Sequence, residues 1–218
     1  MDIEEIVHFT GEIQQRYPLK RHEVIIADHG RFLLSARSSL LSHGSAIKSI
    51  SHFGVGKVLS VGEKHILQEY VEFEQTALTH LQLINLMKKI HRDKKDGLTL
   101  VHGDFSRYNT TDHSGSSKCF DYEYSHWGSP YTDIARVVLR ECESEKEAEV
   151  LLNLYFDGLP SLDELRQGFI IFCLRQYEMR KEKNQPFQDV PLMRAKRLEQ
   201  KRDTLSEVLH DLRDQVKK

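Results

Sequence analysis

Most of the chemically informative side chains of this 218-residue chain lie in one stretch, residues 100–123. The apolar residues 98–101 are typical of a short strand, and His102-Gly103 then turns the chain. A polar loop follows, and after a turn-rich segment a second short strand is expected over 118–121. A strand, a polar loop and a hairpin in this order provide the ordered context that a short catalytic motif requires.

Three side chains of this stretch are candidates for phosphoryl-transfer chemistry. Asp104 precedes Asn109 by five residues, which is the spacing between the acid and the amide of a kinase catalytic loop. Such a loop directs Asp104 at an incoming hydroxyl, while Asn109 offers a carbonyl oxygen to Mg²⁺. Asp121 is expected at the end of the second hairpin strand, where it adds a carboxylate oxygen, the ligand that Mg²⁺ prefers. Each residue alone is typical of a cap or a turn, so the prediction rests on their combination.

Charge and cysteine content exclude several other classes of protein. The chain has 31 Lys and Arg against 33 Asp and Glu, so it has no overall basic field that would attract nucleic acid. Its three widely separated cysteines form neither a disulfide framework nor a zinc knuckle, which favours a reducing compartment. There is no signal-peptide pattern, and no stretch approaches the roughly 20 apolar residues of a membrane span. We therefore expect a cytoplasmic protein without nucleic-acid or membrane partners.

The first part of the chain has the pattern of a small, mostly β lobe. Weak helical periodicity over 2–16 is followed by apolar, β-branched runs around two Gly-containing turns. These runs predict four strands, at 23–27, 31–36, 55–61 and 65–71. Between the two pairs, residues 38–52 are rich in Ser and fit either a poor helix or a loop.

From residue 74 onward the pattern is mostly helical. Apolar residues recur at three- and four-residue spacing over 74–92, and a helix is expected after Pro130. Ser144 and Ser161 each have capping-box spacing to a Glu ahead of an apolar run.

The C-terminal tail has a possible heptad pattern. Leu198, Leu205 and Leu212 follow one another at seven-residue spacing, which is too short a repeat to establish a coiled coil. Packing of this helix on its own domain is the favoured interpretation, and a homodimer formed through the C-terminal helix is the alternative.

Two motifs give the chain a family resemblance. His102 to Asn109, HGDFSRYN, is similar to the HGD-x4-N loop of the aminoglycoside phosphotransferase and choline kinase-like branch of the protein-kinase fold. Residues 120–135, FDYEYSHWGSPYTDIA, resemble the metal-binding segment of that family, usually I-D-W-E-x-A-x-x-G-x-P-x-x-D-L-A. The close match is confined to these two segments.

The resemblance implies an α+β, two-lobed protein-kinase-like fold. The small β-rich N-lobe would cover 1–71, with a hinge near 68–71. The larger, mostly helical C-lobe would cover 72–218 and carry the catalytic loop at 100–123. The implied reaction is Mg²⁺-dependent transfer of the γ-phosphate of ATP or GTP to a hydroxyl group of a small-molecule acceptor.

The same resemblance assigns roles to individual residues. Asp104 would be the catalytic base, and Asn109 and Asp121 the Mg²⁺ ligands. His102 and Asp133 would be structural braces of the catalytic loop. Hinge residues would meet the adenine edge through their backbone groups, namely Glu69, Tyr70 and Val71.

The N-lobe departs from the family pattern where the phosphates of the nucleotide should bind. No G-x-G-x-x-G loop occurs, and Ser35 or Arg37 stands where the phosphate-binding Lys is expected. Arg37 is then the candidate phosphate cation, although Arg and Lys differ in reach and geometry. Between Glu23 and Glu63 the only acidic residue is Asp28, so the usual partner acid of that cation is also missing.

Three interpretations of function remain open at this stage. An active phosphotransferase with a shortened N-lobe is favoured, because a chain without chemistry has no need of a base and two metal ligands. A catalytically weak or inactive kinase-fold binding protein is the main alternative. A metal-dependent hydrolase with His102, Asp104 and His113 as ligands is disfavoured, since no HExxH motif accompanies them.

The acceptor is not identified by the sequence. In folds of this kind its specificity comes from helices beyond the metal-binding Asp, here from about residue 125. The charged candidates there are of both signs: Glu141, Glu143 and Glu145, and Arg175, Arg180 and Lys181. Either a cationic or an anionic acceptor fits this set.

Overall fold

The computed structural model describes residues 6, 8, 10–18, 22–36, 43–182, 184–187, 189–200 and 202–213. An antiparallel sheet occupies the N-terminal part, and the remainder is mostly helical with two small sheets. The predicted α+β class is therefore confirmed.

The N-terminal sheet has five antiparallel strands in the order β1-β2-β3-β5-β4. They are β1 (Ile13–Pro18), β2 (His22–Ala27), β3 (Gly30–Ala36), β4 (Val58–Val61) and β5 (His65–Glu69). Both predicted hairpins are present. The helix predicted over 2–16 is wrong from residue 13 onward, because Ile13–Pro18 pairs with β2 along its whole length.

Two smaller sheets support the predicted catalytic loop. One has the order β10-β7-β6 and contains β6 (Lys94–Lys95), β7 (Leu98–Val101) and β10 (His126–Gly128). The other is the hairpin of β8 (Thr110–His113) and β9 (Ser116–Cys119). The strand predicted at 118–121 ends at Cys119, so the expectation that Asp121 ends this strand is wrong. Asp121 instead lies two residues beyond the strand, in the loop that follows.

Seven α-helices lie in the part of the chain that the structure describes from residue 43 onward. They are α1 (Gly44–Ile50), α2 (His80–Ile90), α3 (Tyr131–Glu141), α4 (Glu145–Phe156), α5 (Leu162–Glu182), α6 (Val190–Leu198) and α7 (Leu205–Arg213). Helix α2 begins later than predicted because Thr79 and Gln82 form a capping box there. The capping box predicted at Ser144 is also formed.

The C-terminal heptad pattern does not produce one continuous helix. The helical conformation is interrupted between α6 and α7. Leu198, Leu209 and Leu212 are all buried in the core of the chain. Leu205 is half-buried against the same core. The apolar face that would form a seam between two chains is thus covered within one chain, and the dimer alternative loses its basis.

The main hydrophobic core joins the sheet to the helices. Ile47 and Ile50 of α1 and Ile66 of β5 belong to the same buried cluster as the apolar faces of α2 to α7. Burying each such side chain contributes roughly 1.5–3 kcal/mol, so this cluster holds the sheet firmly against the helical part. A cleft lies between the sheet and the loop at residues 120–123 of the helical part. Among the described residues, no helix has both the length and the apolar composition that crossing a membrane requires.

Candidate functional site

Asp104 and Asn109 meet in the loop that follows β7. The side-chain Nδ2 of Asn109 donates to the backbone oxygen of Asp104 at 2.8 Å and to its Oδ2 at 3.0 Å. Since the amide nitrogen is used in this way, Oδ1 of Asn109 is its acceptor atom for a further group. The five-residue spacing therefore does place the acid and the amide in contact.

Asp133, near the start of α3, holds the beginning of this loop. Its carboxylate is fully buried and accepts hydrogen bonds from the backbone N–H groups of His102 and Gly103, both at 2.9 Å. His91 Nε2 lies 3.1 Å from the same carboxylate. Burial by itself raises the pKa of Asp133, but the hydrogen bond and charge of His91, together with His102, hold it below its ordinary value. Asp133 is thus a buried anion whose partners include two loop N–H groups.

His91 was not predicted as part of the site. It directly follows α2, and its other ring nitrogen lies 2.7 Å from the hydroxyl of Tyr155. The signal was present in the sequence, because Ile84, Met87 and His91 share one face at helical spacing and that face is buried.

His102 is an anchor of the loop. Its Nε2 lies 2.9 Å from the backbone oxygen of Phe120, and its Nδ1 accepts from the N–H of Asp104 at 3.3 Å. Both ring nitrogens are therefore engaged, which contradicts the hydrolase interpretation in which His102 binds a metal. Within the described residues, no group of three or more His, Cys, Asp or Glu side chains is arranged to hold a metal ion.

Gly103 is required by the shape of this turn. It has a φ of +86°, and a Cβ placed on it would lie 2.4 Å from the backbone oxygen of Tyr124. Gly97 has a similar φ of +77° but no heavy atom within 4 Å of the same position.

We expect Gly103→Ala to lower the melting temperature much more than Gly97→Ala. Both changes carry the left-handed backbone penalty of about 1–2 kcal/mol, but only Gly103→Ala adds a clash, at roughly 1–3 kcal/mol more. Thermal unfolding followed by circular dichroism measures the difference. Equal losses of melting temperature would show that the turn does not need close contact with Tyr124.

Asp121 lies in a strained and negatively charged part of the cleft. Its φ is +64°, an uncommon conformation for a residue with a side chain. Burial raises the pKa of Asp121, and the charge of Glu123 raises it further, while His102 and His22 act in the opposite direction. The backbone N–H of the adjacent Phe120 donates to the backbone oxygen of Asn109 at 3.0 Å, which ties this loop to the catalytic loop.

These residues fit a magnesium ion. Asn109 offers a carbonyl oxygen and Asp121 a carboxylate, which are hard oxygen ligands of the kind that Mg²⁺ prefers. The partly buried negative charge of Asp121 beside Glu123 is the environment that a divalent cation would offset.

A cavity lies between the N-terminal sheet and the loop that carries Asp121. Its walls include the predicted hinge residues Glu69, Tyr70 and Val71, together with Phe73, Phe120 and Asp121. The N–H groups of Glu69 and Tyr70 donate to the oxygens of Lys57 and Arg31, both at 2.9 Å. Those two N–H groups are therefore not available to a ligand. Of the predicted hinge contacts to the adenine edge, the backbone carbonyl groups of Glu69 and Tyr70 and the backbone groups of Val71 remain.

His22 and Ser35 form the part of this cavity where a positively charged, phosphate-binding side chain was expected. Ser35 is buried on β3, and its hydroxyl lies 2.9 Å from Nδ1 of His22 on β2. Both side chains line the cavity. Arg37, the other candidate, lies outside the described residues. The described helix α1, Gly44–Ile50, carries no acidic residue, in agreement with the missing partner acid.

His22 could have been found from the sequence. A two-residue turn at Asp28-His29 sets the register of the β2–β3 hairpin, and this register places His22 directly opposite Ser35.

Two arginines of α3 approach the candidate base and were missed by the sequence analysis. Arg136 Nη2 lies 3.1 Å from Oδ1 of Asp104, and Arg140 Nη2 lies 4.0 Å from the same oxygen. Burial lowers the pKa of Arg136, and the charge of Asp104 acts in the opposite direction. No sequence pattern pointed to this contact, because it depends on how α3 packs against the loop.

Comparison with solved structures identifies the fold. A choline/ethanolamine kinase family protein from Mesorhizobium loti is similar with a TM-score of 0.56 and 15% identity, over 97% of this chain and 95% of that one. The choline kinase LicA of Streptococcus pneumoniae, in complex with AMP, is similar with a TM-score of 0.57 and 12% identity, over 96% of each chain. APH(2")-IIa in complex with gentamicin is similar with a TM-score of 0.56 and 11% identity, over 95% of this chain and 98% of that one. The predicted two-lobed, protein-kinase-like fold is confirmed.

Sequence comparison adds no further relative. No protein-family model matches the chain, and no curated protein matches it significantly.

Proposed function

We propose that the chain is a phosphotransferase that moves the γ-phosphate of ATP or GTP to a hydroxyl group of a small molecule, with Mg²⁺ bound. The observation that carries this proposal is the contact between Asp104 and Asn109 at the edge of a cleft, with Asp121 tied to the same loop through Phe120. The fold supports it, since the structural relatives include choline kinases and an AMP complex.

The proposed roles follow from the positions of the side chains. Asp104 would orient the acceptor hydroxyl and receive its proton as the oxygen attacks the γ-phosphorus in line. Oδ1 of Asn109 and the carboxylate of Asp121 would hold Mg²⁺, which neutralises charge on the phosphates when it is bound. Asp133 and His102 fix the loop, so that Asp104 is positioned before the substrates arrive.

Nucleotide binding is assigned to the cavity between the sheet and the Asp121 loop. The adenine or guanine ring would lie against the hinge at Tyr70 and Val71, and the phosphates would extend toward His22 and Asp121. In this arrangement the imidazole of His22 is a polar group that would contact the phosphates. The three cysteines are free and buried, in line with the cytoplasmic location that we propose.

A binding protein without catalysis is the second candidate. The observation that favours it is Ser35, a neutral residue at one of the two positions where the phosphate-binding cation is expected. A protein of this kind would bind nucleotide in the same cavity but would not transfer its phosphate.

Nucleotide binding is tested by thermal shift. At ten times its Kd, Mg·ATP or Mg·GTP stabilises the folded chain by about 1.4 kcal/mol, which raises the melting temperature by roughly 3–6 °C for a chain of this size. We expect His22→Ala to reduce this shift, because it removes a polar group from the phosphate end of the cavity. His52→Ala changes an exposed histidine elsewhere and should not reduce it. If neither nucleotide raised the melting temperature at millimolar concentration, the proposed function would be wrong.

A further inference from the structure

Arg136 and Arg140 place two positive charges beside the candidate catalytic base. They are one helical turn apart on α3, and both approach the same oxygen of Asp104, at 3.1 and 4.0 Å. Like charges at this spacing repel each other on a helix. The Arg136 side chain is 11% exposed, whereas that of Arg140 is 40% exposed, so the pair extends from the protein interior to the open side of the loop.

A third arginine comes from helix α5. Arg136 lies over the ring of Phe172 on α5, and Arg180 follows on the same helix two turns later. Arg180 is near enough that its charge, like that of Arg140, lowers the pKa of Arg136. Its own Nη1 donates to a neutral group, the backbone oxygen of Phe187, at 3.2 Å.

Two acids of this region, Asp133 and Glu141, are bound by other groups. Asp133 also acts on Arg136, but its carboxylate is bound to His91 and to two backbone N–H groups. Glu141 is engaged by Arg107, through its N–H at 3.0 Å and its guanidinium at 3.4 Å. Asp104 is then one carboxylate facing two guanidinium groups, those of Arg136 and Arg140.

The buried guanidinium also has an unused donor. Arg136 is only 9% exposed, and its Nε forms no hydrogen bond with any described residue. This Nε has almost no accessible surface, so a ligand does not reach it. A ligand with acceptor oxygens next to Asp104 would instead meet the terminal Nη groups of Arg136 and Arg140, which face Oδ1 of Asp104.

We infer that the acceptor is an alcohol that carries an anionic group, a phosphate or a carboxylate, held by Arg136 and Arg140 while its hydroxyl meets Asp104. Guanidinium groups match the planar oxygens of carboxylates and the oxygens of phosphates, often through paired hydrogen bonds. A quaternary ammonium compound such as choline would be repelled at this position. The inference rests on the proposed function, because it takes Asp104 to be the group that contacts the acceptor hydroxyl.

The reaction leaves the anionic group unchanged. The acceptor O–H loses its proton to Asp104 as its oxygen bonds to the γ-phosphorus of the nucleotide. The bond between that phosphorus and the bridging oxygen of the nucleoside diphosphate breaks, and the diphosphate leaves with the electron pair. The product carries one phosphate more than the acceptor.

The test is direct binding of small hydroxyl compounds of different charge, measured by calorimetry at low salt with the nucleotide site saturated by Mg²⁺ and a non-hydrolysable ATP analogue. The probes are glycerol 3-phosphate and D-glycerate as anions, glycerol as the neutral compound and choline as the cation. We expect at least one anion to bind at least tenfold more tightly than glycerol and choline. The tighter of the two anions identifies the preferred group, phosphate or carboxylate.

Variants locate the binding site. Arg140→Gln should weaken anion binding about tenfold, whereas Arg140→Lys, which keeps the charge, should weaken it less. Arg92→Gln makes the same chemical change at an exposed arginine after α2 and should have no effect. Tighter binding of choline or glycerol than of both anions, or unchanged anion binding in Arg140→Gln, would overturn the inference.

The binding measurement with the ATP analogue distinguishes failure of this inference from failure of the proposed function. If the ATP analogue binds and the anions do not, the inference fails while the proposed function stands. If the analogue itself does not bind, the proposed function fails and the inference falls with it.

Discussion

Asp104→Asn is expected to reduce phosphoryl transfer about a thousandfold, within the range that general-base catalysis contributes, while nucleotide binding persists. The amide keeps the size of the carboxylate and its contact with Asn109, but it cannot accept the proton of the acceptor hydroxyl. Steady-state release of nucleoside diphosphate measures the first effect, and the thermal shift with Mg·ATP measures the second.

The control for this variant is Asp163→Asn, the same chemical change at a side chain that is 81% exposed at the start of α5. It should transfer phosphate at the wild-type rate. Because Asp104 faces Arg136, the variant must also be shown to be folded at the assay temperature. If folded Asp104→Asn kept a tenth or more of the wild-type rate, Asp104 would not be the base.

Asp133→Asn is expected to destabilise the fold by about 3 kcal/mol, because a buried carboxylate with three donors loses its charge and one of its acceptors. For a chain of this length the melting temperature should fall by roughly 6–12 °C. Activity should fall as well, since His102 and Gly103 would no longer be held in place.

The pH dependence of this stability loss tests whether the negative charge of Asp133 is its cause. The pKa of Asp133 is lowered in the folded state, so its contribution to stability is complete above the unfolded-state pKa of about 3.9 and disappears as the pH falls through the lower folded-state value. The difference between wild type and Asp133→Asn should therefore shrink in acid as the pH falls below about 4. Asp157→Asn, at an exposed residue paired with Lys88, should change stability by at most about 1 kcal/mol at any pH. A pH-independent difference at Asp133 would contradict this explanation.

The sequence correctly predicted the position of those features that depend on residues close together in the chain. The hairpins follow from turn residues and apolar alternation, and the Asp104 to Asn109 contact follows from the short length of its loop. The capping box at Ser144 is local for the same reason. Each of these features is decided by residues within a few positions of one another.

The parts that depend on packing were missed or misplaced. Asp121 lies two residues past the end of its strand, in a left-handed conformation that no pattern in the sequence predicted. Arg136 reaches Asp104 only because α3 lies across the loop. The leucine repeat at the C-terminus predicted one helix, but the core is covered by two shorter helices that pack separately.

The assigned roles of Asp104, Asn109, Asp121, His102, Asp133 and the hinge residues remain predictions about function. The same holds for the boundary between lobes at residues 71 and 72. These roles matter because two candidate functions share the same cleft and differ only in chemistry.

The most direct test of the central claim is transfer of labelled γ-phosphate. Purified protein is incubated with γ-labelled ATP, Mg²⁺ and a mixture of small anionic, neutral and cationic alcohols, beside Asp104→Asn and a sample containing EDTA. We predict a labelled phosphate ester in the wild-type sample alone. Binding of ATP without any labelled ester, under conditions where the protein is folded, would contradict the claim and identify the chain as a nucleotide-binding protein without transferase activity.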